Sequence, residues 1–245
     1  MDDKEEELNK GRRTFLKAMI VLSAGAAVAG VLKGAVTNII TPLVGISAFP
    51  TMELVGADGK PLLYSDIPVN TPTTWLFYYP LTNDPNFLLN LGDASGNPVN
   101  VPPYEVPIPA TGSTYKFNGG VGPKGSVVAY SAICQHLGCI PPEIHYYPPT
   151  QTVPGTSFSG SSNPGYIHCS CHGSTYDPLK GAAVITGPTS RPLPNVMLKY
   201  NSSKGTFSAY SMVGPTIYGK ISDLSGGTPY ASSATTVTVT NTGIP

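Results

Sequence analysis

Two short stretches hold every cysteine of this 245-residue chain and two of its four histidines: Cys134-Gln135-His136-Leu137-Gly138-Cys139 and Cys169-Ser170-Cys171-His172-Gly173-Ser174. Thiolate and imidazole are ligands for iron and zinc. Each stretch offers one of each, Cys134 with His136 and Cys169 with His172, and has one further cysteine, Cys139 or Cys171. Two thiolates and two imidazoles suit a two-iron, two-sulfide cluster in which two His replace two Cys on one iron. They also suit a structural zinc ion. Zinc sites commonly pair cysteine with cysteine and histidine with histidine, rather than alternating the two on both loops. Zinc would also leave Cys139 and Cys171 without a role.

Loops of this kind need rigid supports. From Thr51 onward the chain is poor in charge and rich in Gly, Pro, Ser, Thr and Tyr, which predicts antiparallel strands and turns rather than amphipathic helices. Residues 73–79, with β-branched and aromatic side chains around Trp75, predict the strongest early strand. Residues 93–109 are broken by glycine and proline and predict a loop with short edge strands. Strands are expected at 125–133 and 165–168, delivering the two Cys/His stretches. Residues 196–200 and 206–210 predict a hairpin, and 235–240 an edge strand. The connection 140–164, rich in Pro, Gly and Ser, is expected to be a long loop, functional or mobile. His145 lies within that connection and His168 immediately precedes the second stretch; both are expected to be sheet or surface histidines.

The pair of boxes, C-x-H-x-G-C followed by C-x-C-H-G-S, resembles the Rieske iron–sulfur proteins at every fixed position. That resemblance implies a mainly β fold: an antiparallel β domain with an inserted cluster-binding subdomain at about 127–198. It implies one [2Fe–2S] cluster, with Cys134 and Cys169 on the buried iron, His136 and His172 on the outer iron, and a Cys139–Cys171 disulfide clamping the loops. Ser174 and Tyr176 stand where the family's high-potential branch has hydroxyls bonded to a bridging sulfide and to a cysteine sulfur. Such bonds raise the potential by stabilising the reduced cluster's added negative charge. Residues 187–194, Gly-Pro-Thr-Ser-Arg-Pro-Leu-Pro, resemble the proline-rich loop that covers the cluster. The implied function is electron transfer: quinol bound at a cytochrome b-type partner meets His172, electron and proton leave together, and a c-type cytochrome or equivalent takes the electron. Leu137 then resembles an apolar cap facing the quinol pocket; its alternative is a buried packing residue. The rival within the family is the small relay subunit of an arsenite-oxidase-like molybdoenzyme. A ring dioxygenase needs a mononuclear iron with two further histidines and a carboxylate. Only His145 and His168 remain, and both are expected to be sheet or surface histidines, so no spare pair is left to bind that iron.

Charge completes the organisation. The formal net charge is zero, with no basic footprint for nucleic acid. Ten of the 28 charged residues lie in 1–17, around Arg12-Arg13-Thr14-Phe15-Leu16-Lys17, which resembles a twin-arginine export signal. Residues 18–40 are mostly apolar, with Lys33 their one charged residue, and long enough for one transmembrane helix in the lipid bilayer. Residues 41–50 then form a tether, and 51–245 an extracytoplasmic domain. The protein is thus expected at the cell membrane, single-pass, with a cytoplasmic N-terminus. A Cys139–Cys171 bridge requires an oxidising compartment, which agrees.

Overall fold

The computed structural model describes residues 49–219 and 227–244. The expected export motif, anchor and most of the tether lie outside the described residues. Among them, no helix is long and apolar enough to cross a membrane.

In chain order the strands are β1 (Met52–Val55), β2 (Trp75–Tyr78), β3 (Pro85–Asn90), β4 (Tyr104–Ile108) and β5 (Ser113–Phe117). Then follow β6 (Val127–Ser131), β7 (Ile144–Tyr147), β8 (Tyr166–Cys169), β9 (Ser174–Asp177) and β10 (Ala183–Thr186). The last are β11 (Asn195–Asn201), β12 (Thr206–Val213), β13 (Thr236–Thr238) and β14 (Thr240–Asn241). Two single-turn 3-10 helices, Tyr64–Asp66 and Pro178–Lys180, are the helical elements among the described residues.

An eight-stranded sheet runs β13-β1-β12-β11-β6-β3-β2-β14, a four-stranded one β10-β9-β8-β7, and β4 pairs with β5 alone. The C-terminal strands lie at opposite ends of the large sheet. β13 runs parallel to β1 and β14 antiparallel to β2, so residues 236–241 cap both edges that would otherwise present unpaired backbone. The predicted edge strand at 235–240 therefore covers two edges rather than one.

β3 and β6 have no solvent face, and their period-two alternation serves two cores. Leu88, Val127 and Ala129 enter one core, with Phe77, Phe207 and Met212. Phe87, Leu89, Val128 and Tyr130 enter the other, with Ile144, Ile167 and Tyr176. That second core also contains Cys134 and Cys169. Burying each such large apolar side chain contributes about 1.5–3 kcal/mol.

The hairpin at 195–213 and the strands at 75–78, 127–131 and 166–169 form as the residue pattern predicts, and Trp75 is half-buried against the first core. Two readings need correction. The 140–164 connection is not one long loop: it contains β7, and Asn163 knits the rest. The Asn163 side chain donates to the carbonyls of Pro148 and Gln151, accepts from the Gly165 amide, and is buried. A buried amide with its hydrogen bonds satisfied orders a Pro/Ser/Gly stretch that composition alone marks as irregular. The inserted unit is also narrower than 127–198, because β6 and β11 belong to the large sheet. At the start of the described residues, Phe49 packs on Tyr79, whose hydroxyl donates to the Pro50 carbonyl at 3.0 Å.

The insert is fastened by buried hydroxyls. Tyr130 on β6 donates to Pro178 O at 2.6 Å. Tyr115 on β5 accepts from Asn195 Nδ2 at 2.6 Å and reaches Gly181 O at 3.2 Å. Burial pushes both phenols above their ordinary range, so they remain neutral donors.

Candidate metal centre

β6 ends at Ser131, and the chain enters the first box three residues later. The loop closes on itself: Cys134 N–H donates to Cys139 O at 2.8 Å and Gly138 N–H to Cys134 O at 2.9 Å. Gly138 takes a left-handed conformation, φ 82°, which glycine adopts freely. The second box is the β8–β9 turn, closed by Gly173 N–H on Cys169 O at 2.9 Å. Cys139 and Cys171 are joined by a disulfide, binding loop to loop.

Cys134 and Cys169 are the two free cysteines among the described residues, each about 1% exposed. Their thiols are within hydrogen-bond reach of each other. The hydrogen bond from Cys169 holds the Cys134 thiol down to about 5, helped by the Tyr176 hydroxyl, the His136 amide and Ser174 and opposed by burial. Cys169, keeping the proton beside the Cys134 sulfur in an apolar setting, is pushed up. A thiolate at neutral pH with a second sulfur against it is a metal-binding donor pair.

The sulfurs of Cys139, Cys169 and Cys171 also lie within 4.8 Å of one another. That trio is not the ligand set, because two of its sulfurs are consumed by the disulfide.

The histidines complete the site on the solvent side. The rings of His136 and His172 meet edge to face with centroids 4.8 Å apart. His136 Nδ1 is buried with no hydrogen-bond partner among the described residues. An orphaned buried nitrogen costs about 1–3 kcal/mol unless something bonds it. A metal ligand is what such an atom fits, and His172 beside it is exposed. The donor chemistry therefore fits a cluster with sulfur inside and imidazole outside.

Ser174 and Tyr176 both face the Cys134 sulfur. Tyr176 Oη lies 3.3 Å from Cys134 Sγ and accepts the Gln135 amide at 3.1 Å, so its own proton is directed at the sulfur. Burial, then the charge on Cys134, raises the phenol and keeps it protonated. Ser174 Oγ, fully buried, accepts the Thr189 amide at 3.2 Å. That bond brings the 187–194 proline-rich stretch against the second box. Leu137 is 56% exposed, which excludes the packing role, and Ile140 nearby is 51% exposed.

His145 and His168 are cross-strand partners on β7 and β8. His168 Nδ1 bonds Thr175 Oγ1 at 2.8 Å, and burial lowers its pKa. His145 Nδ1 bonds Pro142 O at 2.9 Å. Both are sheet histidines with their own partners.

Sequence reasoning missed the roles of Gln135 and of the segment after β12. Gln135 is a free position of the first box, and Thr216 and Tyr218 stand more than forty residues beyond the second, without a motif. The only available signal was an oversized polar side chain beside a buried cysteine.

Residues 109–197 match the family described as Rieske [2Fe–2S] domain. The chain is 30% identical over 87 residues to a Haloferax mediterranei protein named "Putative respiratory nitrate reductase subunit Rieske", covering 36% of this chain and 31% of that one. It is 32% identical over 98 residues to the cytochrome b6-f complex iron-sulfur subunit of Chlorobaculum tepidum, covering 38% and 44%. The chain thus spans less than half the length of these curated relatives. Among solved structures, the soluble domain of Rieske protein II from Sulfolobus acidocaldarius is similar at TM-score 0.51 and 27% identity, covering 80% of this chain and 95% of that one.

Proposed function

From the premise that this chain carries a Rieske [2Fe–2S] domain and binds that cluster, we propose that it is the iron–sulfur subunit of a membrane quinol-oxidising complex. In this reading it takes one electron from quinol at a cytochrome b-type partner and passes it to a c-type cytochrome or an equivalent acceptor. The carrying observation is the asymmetry of the donor set: both cysteines are buried, while His172 is exposed beside exposed Leu137. The bound cluster supplies one-electron chemistry, at roughly −150 to +300 mV for its class.

Cys134 and Cys169 would hold the sheltered iron, and His136, through Nδ1, and His172 the outer one. The Tyr176 proton, aimed at Cys134 Sγ, favours the reduced charge state and so a higher potential. The second core keeps water from the sulfur side. The exposed His172 ring is free to take a hydrogen bond from a quinol hydroxyl and to carry its proton away, since imidazole changes charge near working pH. Leu137 and Ile140 supply an apolar rim for that contact. Residues 18–40 would anchor the chain in the bilayer, with 51–245 outside. The Cys139–Cys171 disulfide supports an oxidising compartment.

A second reading, the small relay subunit of a different redox enzyme such as an arsenite-oxidase-like molybdoenzyme, is favoured by the likeness to a protein named for an enzyme other than a cytochrome complex. Electron paramagnetic resonance of native membranes decides between them. Quinol added to membranes should reduce the cluster only while the cytochrome b-type partner is present. Reduction of the cluster by arsenite, with none by quinol, would overturn the quinol reading.

A further inference from the structure

The first box is held from outside the Rieske match. Assigned by its partners, the Gln135 side chain donates through its amide nitrogen to Thr216 O at 3.2 Å and accepts at its oxygen from Tyr218 N–H at 3.2 Å. Gln135 is 5% exposed, so both bonds are made out of water. Three residues on, Gly138 lies under the Tyr218 ring: a Cβ there would sit 2.7 Å from Cδ1. The stretch 214–219 follows β12, belongs to no strand, and lies beyond the 109–197 match. At its other end, Gln135 donates its backbone N–H to the Tyr176 hydroxyl that faces Cys134 Sγ.

These contacts form one chain: Thr216 and Tyr218 backbone, Gln135 side chain, Gln135 amide, Tyr176 hydroxyl, Cys134 sulfur. We propose that Gln135 is a positioning residue, a two-ended strut through which the 214–219 segment orients the Tyr176 hydroxyl on the cysteine sulfur and thereby sets the cluster's potential. The physical reason lies in the hydroxyl's single proton. With the Gln135 amide occupying a lone pair, the Tyr176 proton is left to point at sulfur. A Gln135 backbone free to shift loosens that constraint, and the O–H···S bond weakens with angle and distance. The inference rests on the Rieske domain and not on the quinol reading, so either can fail alone.

The test uses the full-length, cluster-loaded protein. Gln135→Met keeps the side-chain volume and removes both amide bonds. It should retain iron and sulfide in full while its midpoint potential falls, by less than in Tyr176→Phe. In a Tyr176→Phe background the same change should produce no further fall, because the route to the sulfur is already cut. Hydrogen exchange should quicken at the Tyr218 amide of Gln135→Met and stay unchanged in β11 and β12. Additive falls in the double variant, an unchanged potential in Gln135→Met, or cluster loss from both Gln135→Met and Gln135→Leu would each overturn the proposal, the last by making Gln135 a folding residue.

Discussion

The sulfur end and the imidazole end of the site are built by opposite means. Cys134 and Cys169 sit in a hydrophobic core with Tyr130, Ile144, Ile167 and Tyr176, and hydrogen bonds converge on them from the Tyr176 hydroxyl and backbone amides. His136 and His172 meet edge to face, with the His172 ring exposed and Leu137 of the first box exposed as well. The difference teaches how one donor set divides its labour. Burial excludes water and lets fixed dipoles act at low dielectric, which suits tuning. Exposure forgoes tuning but leaves a ligand that a partner can reach. Variants at the two ends should therefore fail in different ways.

The largest effect is expected at the buried end. Cys169→Ser should abolish the cluster, read as loss of iron, sulfide and visible colour. Near-normal iron content would mean that Cys169 is not a ligand. At the exposed end, His172→Cys should retain part of the iron while losing quinol-dependent turnover and the pH dependence of the midpoint potential. Retained turnover would break the division at its outer half.

Tyr176→Phe should lower the potential with the cluster intact. It should also cost about 1–3 kcal/mol of stability, because the buried Gln135 amide loses its acceptor. Ser174→Ala should lower the potential in the same direction. An unchanged potential in both would remove the tuning argument. Leu137→Ala should leave potential and stability unmoved and weaken quinol binding alone, measured as a higher KM.

The smallest effect concerns acid. Asp58 and Asp93 are held below the usual carboxylate range, first by the amides of Lys60 and Asn97 respectively. Their folded pKa values lie below the unfolded 3.8, so the stability they add is complete above 3.8 and lost as pH falls beneath it. Both are fully exposed turn residues, so the effect should be slight. The thermal midpoint of Asp93→Ala should differ from the parent above pH 4 and converge with it in stronger acid. A difference that persists at low pH would assign the turn's contribution to something other than charge.

Much of the site was readable in advance because its chemistry is local. Cys134, His136, Cys169 and His172 lie within two six-residue boxes, and Ser174 and Tyr176 adjoin the second. The strands read at 196–200 and 206–210 showed themselves by flanking the polar turn 201–205, a pattern that needs no distant partner. The 140–164 connection misled because its order comes from Asn163, whose buried side chain gathers carbonyls twelve and fifteen residues away. Composition cannot report such a contact.

By itself, then, the sequence determined the candidate donor residues, their division between two turns, and the β character of the body, since each follows from residue type and short-range spacing. Tertiary structure alone decided which ends are wet and which dry. It also placed Leu137 at the surface, brought Thr189 onto Ser174, and set the 214–219 segment against Gln135. Those outcomes depend on contacts between residues far apart in the chain, which only close packing of the two cores brings together.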